Sequence, residues 1–480
     1  MRYPRPMSSA PQPAKGTRDF LPNEVRRRYW ILDIVQEVFE AYGFEPLETP
    51  AFENIATLMA KGGGENEKLM FKILKRGEGE KTGEADLALR YDHTVPLARV
   101  VASHLNDLAI PFKAYQLGPV WRAERPQKGR FREFMQCDID IVGGECPYAE
   151  AEILAAFHDI LRNLQLNDAR IVVNHRKIIN GLLSDAGIRP DLWTGTIITL
   201  DKWDKIGPEA VSDQLQAAGA TVESVNRLFQ LILGFNAAFA DGLESEDEEF
   251  RINFTFESAD GREGLEDIIG LWHLLSAHQL NLDVFIADAK LARGLDYYTG
   301  PVFEIQLMGP TPMGSLGGGG RYDGLVGSFA RQDFPAVGFS VGFERLYDVL
   351  ETLGLFPEGT DYASHVLVAS FNDETVLDNL SLAQEIRDDG WRVETYPGVG
   401  NLGKQFKYAD KKGIQLVIVQ GPDEIAGDSV KIKNLKSGQE QSVPYEELLD
   451  WLRDQLEGPP PQNGGQIRRK GPPRNPRMEK

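Results

Sequence analysis

Residues 120–143 read VWRAERPQKGRFREFMQCDIDIVG. Two extended runs, Lys113 to Arg122 and Arg132 to Val142, flank a polar segment, Ala123 to Arg130, that carries Pro126 and Gly129. This is the pattern of an antiparallel hairpin with a long basic loop. Alternate residues of a strand share a face, so Phe134, Gln136, Asp138 and Asp140 project together, and Arg122 and Glu124 form a second same-face pair. Such a row is either the solvated face of a half-exposed sheet or one wall of a site. An aromatic, an amide and two acids beside an Arg, at the root of an Arg/Lys loop, suit a ligand that carries an amine and a phosphate together.

Outward from the hairpin, the 480 residues allow roughly two to four domains. The 42% hydrophobic and 26% charged content is that of a soluble globular chain. No apolar run approaches the roughly 18 residues that cross a bilayer, and the N-terminal MRYPRPMSSAPQPAKG lacks a secretory apolar core. A cytoplasmic enzyme without membrane partners is the expectation. Two cysteines, Cys137 and Cys146, are too few for a disulfide framework or a four-cysteine zinc site. The net charge of −20 repels a polyanion. A nucleic-acid partner would therefore have to use local basic surface, such as the Arg125–Arg132 loop, the Lys404–Lys412 run or the basic tail after Gln466.

In chain order, residues 1–14 are Pro-rich and read as disordered. An amphipathic helix from Asn23 to Tyr42 ends at Gly43, and FEPLETP, Phe44 to Pro50, follows as a strand. LALRYDHTVP, Leu87 to Pro96, puts Asp92 and Thr94 at a strand-to-helix junction, where they serve as an N-cap or as ligand groups. Residues 15–174 form the first part of a catalytic domain and residues 175–283 a mainly helical insertion with an acidic loop, ESEDEE, Glu244 to Glu249. Residues 284–358 are the second part. There LARGLDYYTG, Leu291 to Gly300, precedes four glycines, Gly317 to Gly320, read either as a flexible loop or as backbone passing close to a ligand or a strand. Gly338, Ser340 and Gly342 then alternate along a strand, and FERL enters a helix. From residue 359 to 457, β-α-β-α-β spacing predicts a compact domain with a largely parallel sheet, and residues 458–480 are a Pro/Gly-rich basic tail read as disordered. The fold class is α/β, with an α+β catalytic core.

Arg122-Ala123-Glu124 resembles the opening of motif 2 of the class II aminoacyl-tRNA synthetases, AVGFSVGFERL at Ala336 to Leu346 resembles motif 3, and the helix-glycine-strand-proline segment resembles motif 1. LARGLDYYTG and GGGGRYDGL are similar to the two signature motifs of the histidyl-tRNA synthetase family. Motif 2, the two signature stretches and motif 3, four separated matches in the family's order, are a specific signal, and the likeness runs from about Lys15 to about Leu456. It implies an antiparallel class II sheet flanked by helices, an insertion near the acceptor stem and a C-terminal α/β anticodon-binding domain. It further implies a homodimer formed through motif 1, and L-histidine, ATP and tRNA(His) as partners. Mg2+ would arrive with ATP, with no tightly bound, protein-ligated metal. The resemblance assigns Arg122 and Arg293 to the α-phosphate, Arg345 to the γ-phosphate, Arg130 to the triphosphate, and Phe134 with Glu124 to adenine. Asp140, Tyr298 and Tyr297 would meet the imidazole, and Asp92, Thr94 and Gln136 the α-amino group. His93 departs from the small or aliphatic residue usual in relatives. Two other readings are a catalytically silent, synthetase-like regulatory subunit of ATP phosphoribosyltransferase and an RNA-sensing module. The retained Arg122, Arg293 and Arg345 and the complete C-terminal domain argue against the first. The absence of a kinase-like or extra interaction domain argues against the second.

Overall fold

The computed structural model describes residues 11–60, 67–126, 129–242, 252–292, 297–309, 314–362, 364–370 and 372–456. The Pro-rich start up to residue 10, the acidic loop 244–249, Arg293 and the tail 458–480 lie outside them. The chain divides into two compact units, Met1–Asp19 with Arg28–Phe356, and Phe20–Arg27 with Pro357–Lys480.

The first unit is built on an eight-stranded sheet of β1 (Glu45–Pro46), β5 (Phe112–Trp121), β6 (Glu133–Val142), β7 (Ala169–His175), β8 (Phe285–Ala287), β9 (Pro301–Leu307), β10 (Gly317–Arg321) and β11 (Ala336–Gly342). Their order across the sheet is β1-β5-β6-β11-β10-β9-β7-β8, antiparallel except at the two edge pairs, β1 with β5 and β7 with β8. The hairpin read from sequence is β5 and β6, each within a residue or so of expectation. FEPLETP contributes only the two residues of β1. Because a strand alternates, Cys137, Ile139 and Ile141 of β6 join one core with Phe157, Ile153 and Val35 from the helices Tyr148–Asn163 and Pro22–Ala41. Phe157 meets Phe339 of β11 edge-on at 4.1 Å. The opposite face of β6 is left for the polar row.

A smaller sheet, in the order β2 (Phe52–Asn54), β4 (Ala85–Leu89), β3 (Lys72–Leu74), contains as β4 the short strand expected before Asp92, while β2 and β3 had no clear signature in the sequence. The insertion is helical, with Arg176–Asp185, Trp193–Leu200, Trp203–Ala217, Val222–Gly242 and Ala259–Ala277. Its first and last helices approach closely through glycines. A Cβ on Gly181 would stand 2.5 Å from Gly261 Cα.

The second unit carries a five-stranded sheet in the order β13 (Val393–Thr395), β12 (Val366–Ala369), β14 (Leu416–Val419), β15 (Ser429–Asn434), β16 (Glu440–Pro444). Two pairings are parallel and two antiparallel, so the sheet is mixed where β-α-β spacing predicted a largely parallel one. The difference is the hairpin β15–β16, whose second strand, EQSVP, has too few apolar residues to register as one. No helix among the described residues is long and apolar enough to cross a membrane.

Candidate active site

The polar face of β6 sets the site. Its register places Gln136, Asp138 and Asp140 opposite Gly342, Ser340 and Gly338 of β11. Gly338 leaves the space that Asp140 occupies, for a Cβ there would lie 2.0 Å from Asp140 Oδ1. The four glycines are neither loop nor turn. They form most of β10, and a Cβ on Gly319 would lie 2.1 Å from the carbonyl oxygen of Gly338. Close passage against a neighbouring strand is thus what the glycine run serves.

On this floor sits a cavity of about 40 Å³ walled by Thr94, Asp138, Asp140 and three tyrosines, 297, 298 and 322, room for about three water-sized groups. The Tyr322 hydroxyl donates to Asp140 Oδ1 at 2.6 Å. Tyr297 stacks on Tyr322 at 5.5 Å and meets Tyr298 edge-on at 5.0 Å. Gln136 Nε2 donates to Ser340 Oγ at 2.9 Å. Thr94 opens the helix Thr94–Ser103, and Asp92 Oδ1 accepts from the Val95 backbone N–H at 3.2 Å. Asp92 therefore caps the helix start and stands beside the other acids at once, so its two readings are compatible.

Asp138 and Asp140 line this small space, and Asp92 stands near enough to act on both. Burial pushes Asp140 up to about 7, opposed by the Tyr322 hydrogen bond and reinforced by Asp92. Burial pushes Asp92 up to about 6, opposed by the Val95 N–H and by Arg122. Asp138 is raised well above the usual carboxylate range by burial, against its hydrogen bond with Ser340, with Asp140 and Asp92 adding to the rise. Enclosed like charges disfavour ionisation, so the pocket is short of positive charge and suited to a compact cation.

His93, the departure from the family pattern, is a packing residue. It is buried, and its Nε2 lies 3.1 Å from the Gly118 carbonyl, so Nε2 carries the hydrogen and donates. Burial and the nearby Arg90 lower it to about 4, which keeps the ring neutral. It wedges beneath β5, where a Cβ on Gly118 would come within 3.2 Å of its Cε1.

Beside the pocket, Arg122 Nε donates to the Tyr91 carbonyl at 3.0 Å, and its guanidinium lies 5.1 Å over the Phe134 ring. Because β5 ends at Trp121, Arg122 and Glu124 are not an alternating strand pair as expected. Glu124 instead faces Arg130 at 3.9 Å across a cleft of about 490 Å³ that Arg125 and Pro126 also line. Arg345 stands in the first turn of the helix Phe343–Leu353 and donates through Nη1 to the Ser315 carbonyl at 2.6 Å. Its neighbour Glu344 is buried under a two-pronged bond from Arg28, at 2.6 and 2.9 Å, and is structural. Asp92, Thr94, Gln136, Asp140, Tyr297 and Tyr298 are therefore brought together, with Arg122 and Phe134 adjacent. Tyr322 and Asp138 were not assigned from sequence. Both stood within quoted stretches, but only the tertiary contact tells them from neighbouring polar residues.

Among the described residues, Cys146, His175 and Asp267 could hold a metal by proximity, with donor atoms within 4.8 Å of one another. The tautomer opposes it. His175 Nδ1 accepts from the Lys177 N–H at 3.0 Å, so Nε2 bears the hydrogen and donates to Asp267 at 3.1 Å. A ligating imidazole has the reverse arrangement.

A hairpin with acids on one face, beside a strand of small residues that runs straight into an arginine-bearing helix, defines the catalytic core of a class II aminoacyl-tRNA synthetase. The family profile described as histidyl-tRNA synthetase matches residues 16–346, and that of an anticodon binding domain matches residues 365–455. The chain belongs to the histidyl-tRNA synthetase family. It is 39% identical over 464 residues to a histidine–tRNA ligase of Christiangramia forsetii, covering 93% of this chain and 100% of that protein. It is 38% identical to one of Flavobacterium johnsoniae, with the same coverages. The histidyl-tRNA synthetase structure from Nostoc sp. PCC 7120 superposes with a TM-score of 0.81 at 32% identity, over 94% of this chain and 100% of that one.

Proposed function

We infer that the chain is a histidine–tRNA ligase that activates L-histidine with ATP and transfers the histidyl group to tRNA(His). The observation that carries this is the convergence of two buried carboxyls and a tyrosine wall on one small cavity, with Asp92 and Arg122 beside it. The carboxylate of histidine attacks the α-phosphorus of ATP, diphosphate leaves, and histidyl-adenylate forms. The terminal ribose hydroxyl of the tRNA then attacks the carbonyl carbon and AMP departs. The attacking carboxylate is already ionised, so the first step needs no side-chain base. It needs fixed positive charge where negative charge gathers on the α-phosphate, because such charge favours the transition state over the ground state. Arg122 and Arg293 take that role, Arg345 and Arg130 the outer phosphates, and Phe134 with Glu124 the adenine end.

Asp140 with Tyr298 and Tyr297 receives the imidazole, one group accepting and one donating to match the two ring nitrogens. Asp92, Thr94 and Gln136 receive the α-amino group. Mg2+ enters as part of the ATP substrate, held mainly by phosphate oxygens and water. The enzyme acts in the cytoplasm as a homodimer joined through the motif 1 segment, with residues 175–283 as the insertion and 359–457 as the anticodon-binding domain.

Histidine-dependent exchange of pyrophosphate into ATP tests the reading. Wild-type protein should exchange with L-histidine and with no other amino acid, and Arg293→His should lower the rate by orders of magnitude while the protein stays folded. No exchange in the wild type would leave the silent regulatory subunit as the better account. Near-normal exchange in Arg293→His would remove that residue from the chemistry.

A further inference from the structure

Asp138 has no role in the reaction as set out above, yet it is placed like a ligand group. It lies between Gln136 and Asp140 on the pocket face of β6, is 3% exposed, and lines the same cavity as Thr94, Asp140 and Tyr298. Its Oδ1 is buried without a hydrogen-bond partner, and so is Gln136 Oε1. A buried acceptor left unpaired has given up its hydration for nothing and is destabilising. Two such acceptors on one face of β6, one of them on the cavity wall, are therefore a binding surface waiting for hydrogen.

We propose that Asp138 is a further specificity-determining residue of the amino-acid pocket, whose Oδ1 accepts a hydrogen from the α-ammonium of the substrate. An ammonium carries three donors; Asp138 Oδ1, buried and unpaired, adds a second carboxylate to the Asp92, Thr94 and Gln136 already assigned to it. The ring end of the pocket is already marked by the Tyr322–Asp140 bond and the Tyr297 stack. Asp138 lies opposite Ser340 across the strand pair and feels the charges of Asp140, Asp92 and Arg122, so it adjoins the end where the reacting carboxylate and its α-carbon belong as well as the ring end. Two enclosed acids and an amide make the α-ammonium a requirement for tight binding, so the pocket discriminates against ring-bearing molecules that lack it. The assignment rests on the histidine reading of this site.

The test compares wild type with Asp138→Asn, which preserves shape. L-Histidine and 3-(imidazol-4-yl)propionate, which has the same ring and carboxylate but no amine, are titrated calorimetrically in two buffers of different ionisation enthalpy. The charged groups facing Asp138 are Asp140 on its own strand, Asp92 before the helix Thr94–Ser103, Arg122 after β5 and Arg90 after β4. All four are retained in the variant, so a change in proton release reports on Asp138 together with its effect on Asp140 and Asp92. The expected result is at least about a tenfold loss of L-histidine affinity in Asp138→Asn, unchanged binding of the desamino compound, and fewer protons released on L-histidine binding. An equal loss for both compounds, or none for L-histidine, overturns the assignment and leaves the histidine reading standing. A wild type that fails to bind L-histidine overturns both. Should Asp138→Asn not fold, Asp138→Ser is read in the same way.

Discussion

The Tyr322 hydroxyl, 2.6 Å from Asp140 Oδ1, decides which edge of that carboxyl faces a ligand. Removing it leaves a buried acid free to turn away from the ring it should meet, and hydrogen bonds to charged groups contribute about 1.5–3 kcal/mol. Tyr322→Phe should therefore raise the KM for L-histidine in pyrophosphate exchange by roughly tenfold or more with the KM for ATP unchanged, and equal rises in both would show a general loss of packing. The raised acids also predict a pH dependence. Asp92 and Asp140 titrate near 6 and 7, above the usual carboxylate range, so their contribution to stability is complete in acid and is lost as pH rises through those values. A bound ammonium reverses that loss. The increase in melting temperature produced by L-histidine should accordingly grow as pH passes from below about 6 to above about 7, and Asp140→Asn should flatten the upper part of that rise. A ligand-induced shift that is independent of pH would contradict the assignment of these acids.

At the scale of elements, the helical insertion reaches the base of the LARGLDYYTG stretch. Asn236, on the helix Val222–Gly242, donates to Asp288 Oδ1 at 2.8 Å and accepts from the Ala289 N–H at 2.9 Å. Asn174, at the end of β7, donates to the carbonyls of Ala289 and Leu291 at 3.1 and 2.9 Å. Lys290 pairs with Asp204 of the helix Trp203–Ala217 at 3.0 Å. At the far side of the stretch the Arg176 N–H holds the Gly300 carbonyl at 3.0 Å. The insertion and its flanking strand thus anchor both ends of a signature motif whose tyrosines wall the pocket. Asn236→Ala leaves the Ala289 N–H without its partner, while Asp288 keeps the Lys290 N–H and ammonium, and should cost about 1–3 kcal/mol. It should appear as a lower unfolding midpoint together with a reduced exchange rate. Unchanged values for both would show the anchor to be dispensable.

Across the whole molecule, the two units have separate apolar cores. Among the described residues, that of the second unit is formed by Val366, Leu382, Trp391, Ile418 and Val430 among others. A chain ending at Phe356 should therefore retain histidine-dependent exchange and lose most aminoacylation of tRNA(His), as filter assays of both reactions would register. Loss of exchange as well would show that the catalytic unit depends on its companion. Sequence alone determined the order of elements, the β5–β6 hairpin, the face of β6 that carries the acids and the need for small residues along β11. Each of these follows from local periodicity and from steric limits that act within a few residues. Tertiary structure decided what those residues do. It turned the glycine run into a strand, shortened the arginine-glutamate pair off the end of β5, made His93 a neutral wedge, and brought Tyr322 to Asp140 across 182 residues. Burial and long-range approach set hydrogen-bond partners and proton affinities, and neither is written in the spacing of the chain.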